Sequence, residues 1–170
     1  MIVYFDLDNV LAAFQKGGLD MCGINIPDQA HQTKENEEAM WAALRTVPHF
    51  YDKLEMMPGA KEMFDYAYGL LGPAGCQILS AVPNKKHGMT NAAEDKTAWC
   101  KRMLAPDIEV NIVHSKHEKR ERCQGPDCVL VDDLQGNIDE WESCGGTGVH
   151  YTDSQDALRK LRAILEPVKE

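Results

Sequence analysis

Five short apolar runs, IVYF at 2–5, CQILSAV at 76–82, IEVNIV at 108–113, CVLV at 128–131 and GVHY at 148–151, are separated by stretches with helical spacing. Such alternation predicts βαβ units on a parallel sheet, because parallel strands are joined by crossovers that are usually helices. AKEMFDYAYGLL follows Pro58 and Gly59, and AAEDKTAWCKRML follows Asn91, whose Glu94 three residues on suits a capping box. NIDEWES and SQDALRKLRAIL complete the set, the last with Leu158, Leu161, Ile164 and Leu165 on one face. Residues 160–170 run into a charged end.

The stretch from 13 to 57 breaks the pattern. It is polar and rich in Gln, Glu and Asn around ENEEAMWAALRTV, and far longer than the few residues of an ordinary βα connection. We read it as a small, mostly helical cap inserted after the first strand, above that strand's C-terminal edge. Residues 1–12 and 58–170 then form one core domain, as 170 residues allow.

A hydrophobic fraction of 44% with 26% charged residues excludes a disordered or fibrous chain. The net charge of −9 disfavours stable nucleic-acid binding, which draws its affinity from Lys and Arg. Any phosphate ligand needs a local exception. MIVYF is too short for a secretory signal, and no segment approaches the roughly 18 apolar residues of a membrane span, so the expected location is cytoplasmic, away from membranes. The six cysteines lack a framework spacing and read as free thiols; Cys123 and Cys128 with His114, His117 and His150 match no strong zinc signature.

Ligands of open α/β sheets bind at the C-terminal ends of strands, and FDLDNV, LSAVPNKK and VLVDDLQGN put reactive residues at three of them. Asp6, Asp8, Asp132 and Asp133 lie on two apolar strands expected to be neighbours. Four converging carboxylates need a cation, and an all-oxygen site suits Mg²⁺.

The order DLDNV, Ser80 in ILSAV, a lysine in HSKHEKRER and VDD resembles the four motifs of the haloacid dehalogenase-like (HAD-like) phosphohydrolases. FDLDNVLAAF, MMPGAKEMFDYA, EDKTAWCKRML and VLVDDLQGNIDEWESCGGTGVHY are most similar to the 5′(3′)-deoxyribonucleotidase group, bacterial and phage-type relatives included. Asn9 stands where relatives commonly carry Gly, and Ser80 where Thr is more usual. The resemblance implies a three-layer, Rossmann-like parallel sheet with a small cap, and a Mg²⁺-dependent phosphomonoesterase working through a phospho-aspartate.

In that scheme Asp6 is the nucleophile and Asp8 the acid and base. Ser80, Ala81 and Lys119 hold the phosphate, with Lys116 the alternative lysine, and Asp6, Asp8, Asp132 and Asp133 hold the metal. The substrate expected is a small nucleotide, a (deoxy)nucleoside monophosphate, with a sugar phosphate or polynucleotide end as the alternative. Phe14 and Lys96 match residues that relatives turn toward the substrate, though an aromatic packing the cap and a solvated helix lysine are the plainer readings. Trp41 at helical spacing with Met40 and Leu44 reads as core rather than a base platform, and Trp99 and Trp141 as packing. GGTG at 145–148 precedes a strand, so it reads as a turn rather than a phosphate loop. A signalling receiver domain would place its acidic pair on the first strand and a lone acceptor Asp later, the opposite order. A homodimer is compatible with the sequence.

Overall fold

The computed structural model describes residues 1–166; residues 167–170, the end of the expected core segment and of its charged run, lie outside the described residues. Every apolar run contains a strand: β1 (Ile2–Phe5), β2 (Cys76–Ala81), β3 (Val110–Val113), β4 (Cys128–Asp132) and β5 (Thr147–His150). All pair in parallel, in the order β3-β2-β1-β4-β5. The helices are α1 (Phe14–Cys22), α2 (Lys34–Leu44), α3 (Ala60–Gly75), α4 (Ala92–Met103), α5 (Gln135–Ser143) and α6 (Ser154–Leu165).

The two-residue period of the strands sorts their side chains into two layers. Val3, Phe5, Ile78, Val129, Val131 and Val149 pack with residues of α3, α4 and α6 in one apolar cluster. Tyr4, Leu79, Val113 and Leu130 meet Ile138 and Trp141 of α5 in another. A sheet covered on both faces is why its strands read as continuous apolar runs. Trp99 and Trp141 are fully buried, and their indole N–H groups donate to Leu54 O at 2.8 Å and Cys128 O at 3.0 Å.

Two local details differ from the sequence reading or sharpen it. The capping box at Asn91 does not form: Asn91 sits in the left-handed region (φ 64°), a conformation asparagine tolerates, and its side chain makes no cap bond. The helix AKEMFDYAYGLL is regular up to its end, where Gly72 (φ 67°, ψ −176°) and Pro73 break α3.

The segment 13–57 carries α1, α2 and 3₁₀ turns at Gln29–His31 and Phe50–Lys53. Its two necks are tied together, Ala13 N–H donating to Glu55 O and Met57 N–H to Leu11 O, both at 2.8 Å. Phe14, Met40, Leu44, Phe50, Tyr51 and Leu54 belong to the same apolar cluster as the strands. The turn Phe50–Lys53 runs along α4, where Arg102 bonds Asp52 by both side chain and carbonyl.

Candidate active site

Strand β1 is central, and the chain leaves it toward β2 and β3 before returning to its other side as β4. At that reversal two strand ends open a crevice. Asp6 follows β1 and Asp132 closes β4, both buried. Lys119 Nζ stands between them, 2.9 Å from Asp6 Oδ1 and 2.8 Å from Asp132 Oδ2. Asp132 also accepts from Leu134 N–H at 2.9 Å and Asn137 Nδ2 at 3.0 Å, so both oxygens are fixed. His150 Nε2 bonds the Asp133 carbonyl at 3.0 Å, tying the next residue to β5.

One carboxylate oxygen each from Asp6, Asp132 and Asp133 lies within 4.8 Å of the others. Burial, then the Asp6 and Asp132 charges, push the Asp133 carboxyl up to about 9. Burial and Asp6 raise Asp132 as well, against the pull of Lys119. For Lys119 burial disfavours the charged form, yet Asp6 and Asp132 more than offset it and hold the ammonium above lysine's usual range. The trio crowds three carboxyl groups around one lysine and offers hard oxygen donors only, which fits a magnesium ion held by Asp6, Asp132 and Asp133.

Asp8 faces a second cation. The loop that carries Asp8 is tight: Val10, Leu11 and Ala12 N–H groups all point to Leu7 O, and Asn9 (φ 62°) accepts Gln15 N–H on Oδ1 at 3.1 Å. Asn9 thus meets the turn's demand for a left-handed residue where glycine is usual. Lys96 Nζ is fully buried and donates to Asp8 Oδ2 (3.0 Å), Ser80 Oγ (3.1 Å) and Ala81 O (2.7 Å). Its charge also lies 4.6 Å from the centre of the Tyr51 ring. Asp8 Oδ1 is buried without a partner among the described residues. Burial raises the Asp8 carboxyl above the usual range, with a further push from Asp6 and an opposing one from Lys96. A half-buried acid with one buried, uncommitted oxygen is equipped to pass a proton.

The strand ends therefore bring together Asp6, Asp132, Asp133 and Lys119 on one side, and Asp8, Ser80, Ala81 and Lys96 on the other. Lys116 is exposed at the start of the 3₁₀ segment Lys116–Arg122, while Lys119 three residues on is buried. Phe14 is buried, stacked on Tyr51 (14°, 6.1 Å) and edge-on to Phe50. Trp41 is half-buried and stacks on His87 at 5.0 Å rather than entering the core fully. The acidic trio is the metal-capable group found among the described residues; Cys123, Cys128 and the histidines form none. Tyr51 and Asn137 are absent from the sequence reading, and His150 entered it only as part of a rejected zinc set. Asn137, five residues after Asp132 on α5, was within reach of a helical-spacing argument, whereas Tyr51 and His150 meet the site only through tertiary packing.

Beside this site the insertion and α4 enclose a cavity of about 160 Å³, with Arg45, His49, Tyr51, Thr90, Asn91 and Asp95 in its wall. His49 is in the left-handed region (φ 55°), its Nδ1 2.8 Å from Asp95 Oδ1.

No family model matches the chain, and no curated protein does. Among solved structures it is similar to a HAD-superfamily hydrolase from Ehrlichia chaffeensis, at 14% identity, TM-score 0.58 and 97% coverage of both chains. D,D-heptose 1,7-bisphosphate phosphatase from Burkholderia thailandensis aligns at 13% identity and TM-score 0.48, covering 94% of this chain and 97% of that one. An uncharacterized protein from Corynebacterium glutamicum aligns at 19% identity and TM-score 0.47, covering 99% and 96%. At 14% identity the likeness to the Ehrlichia structure is one of fold: this chain has the HAD-like, three-layer α/β architecture.

Proposed function

We propose that the protein is a Mg²⁺-dependent phosphomonoesterase that removes phosphate from (deoxy)nucleoside monophosphates through a phospho-aspartate on Asp6. The observation that carries the reading is the pair of cation-matched carboxylates at one strand end, Asp6 on Lys119 and Asp8 on Lys96 beside Ser80. In the first step an Asp6 oxygen attacks phosphorus, the P–O ester bond breaks, and Asp8 gives its proton to the departing oxygen. In the second, Asp8 takes a proton from water, whose oxygen attacks phosphorus and returns Asp6 as a free carboxylate with inorganic phosphate. Magnesium, when bound by Asp6, Asp132 and Asp133 with the Asp8 carbonyl, neutralises charge on the transferring group. Lys119, Ser80 and the Ala81 backbone hold its oxygens as negative charge spreads over them, while Lys96 positions Asp8 and Ser80.

Tyr51, whose ring lies against the Lys96 ammonium with Phe14 stacked behind it, supports a ring-bearing leaving group. Base stacking on an aromatic side chain contributes about 1–3 kcal/mol in single-strand binders. A panel of nucleoside monophosphates, sugar phosphates and an aryl phosphate, assayed with and without Mg²⁺, tests the reading. Metal-dependent preference for nucleotides is expected. Equal turnover of sugar phosphates would replace it with a general phosphatase, and no turnover of any ester would remove it.

A further inference from the structure

The cavity beside Tyr51 is accounted for by none of these roles. We propose that it is a subsite for a second acidic group, phosphate or carboxylate, carried by the leaving portion of the substrate. The proposal rests on the phosphomonoesterase reading and narrows its substrate class.

Its position is the first argument. Tyr51 lines the cavity and its ring covers Lys96, and Asp95 in the same wall immediately precedes Lys96 on α4. The cavity therefore shares a wall with the site where Asp8 meets the departing oxygen.

Charge is the second. In a chain of net charge −9, Arg45 forms no ion pair among the described residues; Arg120, Arg122 and Arg162 form none either, while Arg102 and Arg159 are paired with Asp52 and Asp156. Of the unpaired four it is Arg45 that stands in this cavity's wall. Arg45 is nonetheless held in place. Its Nη1 donates to His87 O at 2.9 Å, and its stem lies so close to Gly88 that a Cβ there would stand 2.7 Å from Cδ. A carbonyl fixes the guanidinium without cancelling its charge, and leaves most of its donor fork for a ligand. Asp95, the acid in the wall, is engaged by His49. Lys85 and Lys86 on the adjoining turn are exposed and also lack ion pairs among the described residues. A pre-placed, uncompensated arginine on a polar cavity is the arrangement that recognises phosphate and carboxylate.

Size is the third. A cavity of 150 Å³ holds one benzene. At about 160 Å³ this one has room for a single acidic group with its linking atoms.

The test compares kcat/KM for a nucleoside 3′,5′-bisphosphate with its 5′- and 3′-monophosphates, and for 3-phosphoglycerate with glycerol phosphate. At least one doubly acidic ester should exceed its singly acidic partner by about tenfold, the scale of a charged hydrogen bond, and the pair that responds identifies phosphate or carboxylate as the group. Arg45→Met should collapse that ratio through KM. Parent enzyme with no preference in either pair, or an Arg45→Met protein that loses both members of a pair equally, overturns the proposal. Titration calorimetry with the bisphosphate and the monophosphates on Asp6→Asn protein reads the same preference without turnover. Aryl phosphate hydrolysis by the parent separates the two claims: if it fails, the phosphatase reading falls, while the calorimetric preference still decides the subsite.

Discussion

Asp6 and Asp8 are two residues apart and do different work because their surroundings differ. Asp6 is paired with the Lys119 ammonium at 2.9 Å, whereas burial keeps Asp8 inclined to hold a proton. Asp6→Asn should lower kcat by about a thousandfold or more while far-UV circular dichroism stays unchanged, because an amide cannot attack phosphorus. Activity within tenfold of the parent would remove Asp6 as nucleophile. Asp8→Asn should be nearly as damaging yet leave phosphorylated enzyme visible by intact mass after mixing with substrate, since water is no longer deprotonated. Asp133 gives a prediction of opposite sign. Its carboxyl titrates near 9 in the folded chain against about 3.9 unfolded, so between those values the native state binds more protons. Stability linked to Asp133 is therefore full below about pH 4 and falls as pH rises toward 9. Asp133→Asn should raise the Tm at pH 8 in a chelator by about 3–6 °C, corresponding to about 1–2 kcal/mol, with a smaller gain at pH 5. Magnesium should raise the parent's Tm at pH 8 and the variant's much less. Melting curves at the two pH values, with metal and with chelator, check both signs, and equal gains at both pH values would count against the linkage.

At the scale of elements, what was legible in the sequence was whatever the main-chain periodicity carries. FDLDNV and VLVDD each end an apolar run in acids, so strand neighbours and their charged tips were readable before any coordinates. Lys119 was readable in type but ambiguous in place, because HSKHEKRER forms a 3₁₀ segment whose three-residue turn stacks Lys116 and Lys119 on one edge. Burial separates them. Lys119→Ala leaves Asp6 and Asp132 buried without their cation, a change that costs about 3–5 kcal/mol and should also abolish phosphate binding. Lys116→Ala on the exposed turn should stay within about 0.5 kcal/mol of the parent and retain turnover. Urea denaturation with a phosphate competition assay reads both, and the reverse ranking would move the phosphate lysine three residues upstream. Other contacts were beyond a one-dimensional reading. His49 reaches Asp95 across 46 residues and Lys96 reaches Asp8 across 88, through packing that no local pattern encodes. Asn91 failed as a capping residue for a related reason: asparagine satisfies a left-handed backbone as readily as it caps, and here the chain's entry into α4 demanded the former.

Over the whole molecule the question is whether the insertion behaves as a separate body or as part of one folding unit. Residues 13–57 were set apart by their length and polarity, and both are properties of the insertion's outer surface. Inside, Leu44, Phe50 and Leu54 pack in the cluster that contains Phe5 and Ile78, and the 3₁₀ turn after α2 is bonded to α4 at Trp99 and Arg102. Breaking the insertion free would expose that shared surface together with the buried Lys96 beneath Tyr51, which is costly enough to couple the two parts. Leu44 is fully buried on α2, and Leu44→Ala should cost about 2–5 kcal/mol of global stability, as truncation in a close-packed core does. For a chain of this size that is a fall in Tm of about 4 °C or more. The unfolding should remain a single transition: Trp41 fluorescence, isolated by replacing Trp99 and Trp141 with Phe in a variant confirmed to fold, should trace the same midpoint as far-UV circular dichroism of the same protein. An earlier Trp41 transition, or a Leu44→Ala effect confined to Trp41, would make the insertion an independently melting cap. Coincident curves would mean that access to Asp6 and Asp8 is controlled by a wall fixed to the core, and that selectivity is built into its rigid surface.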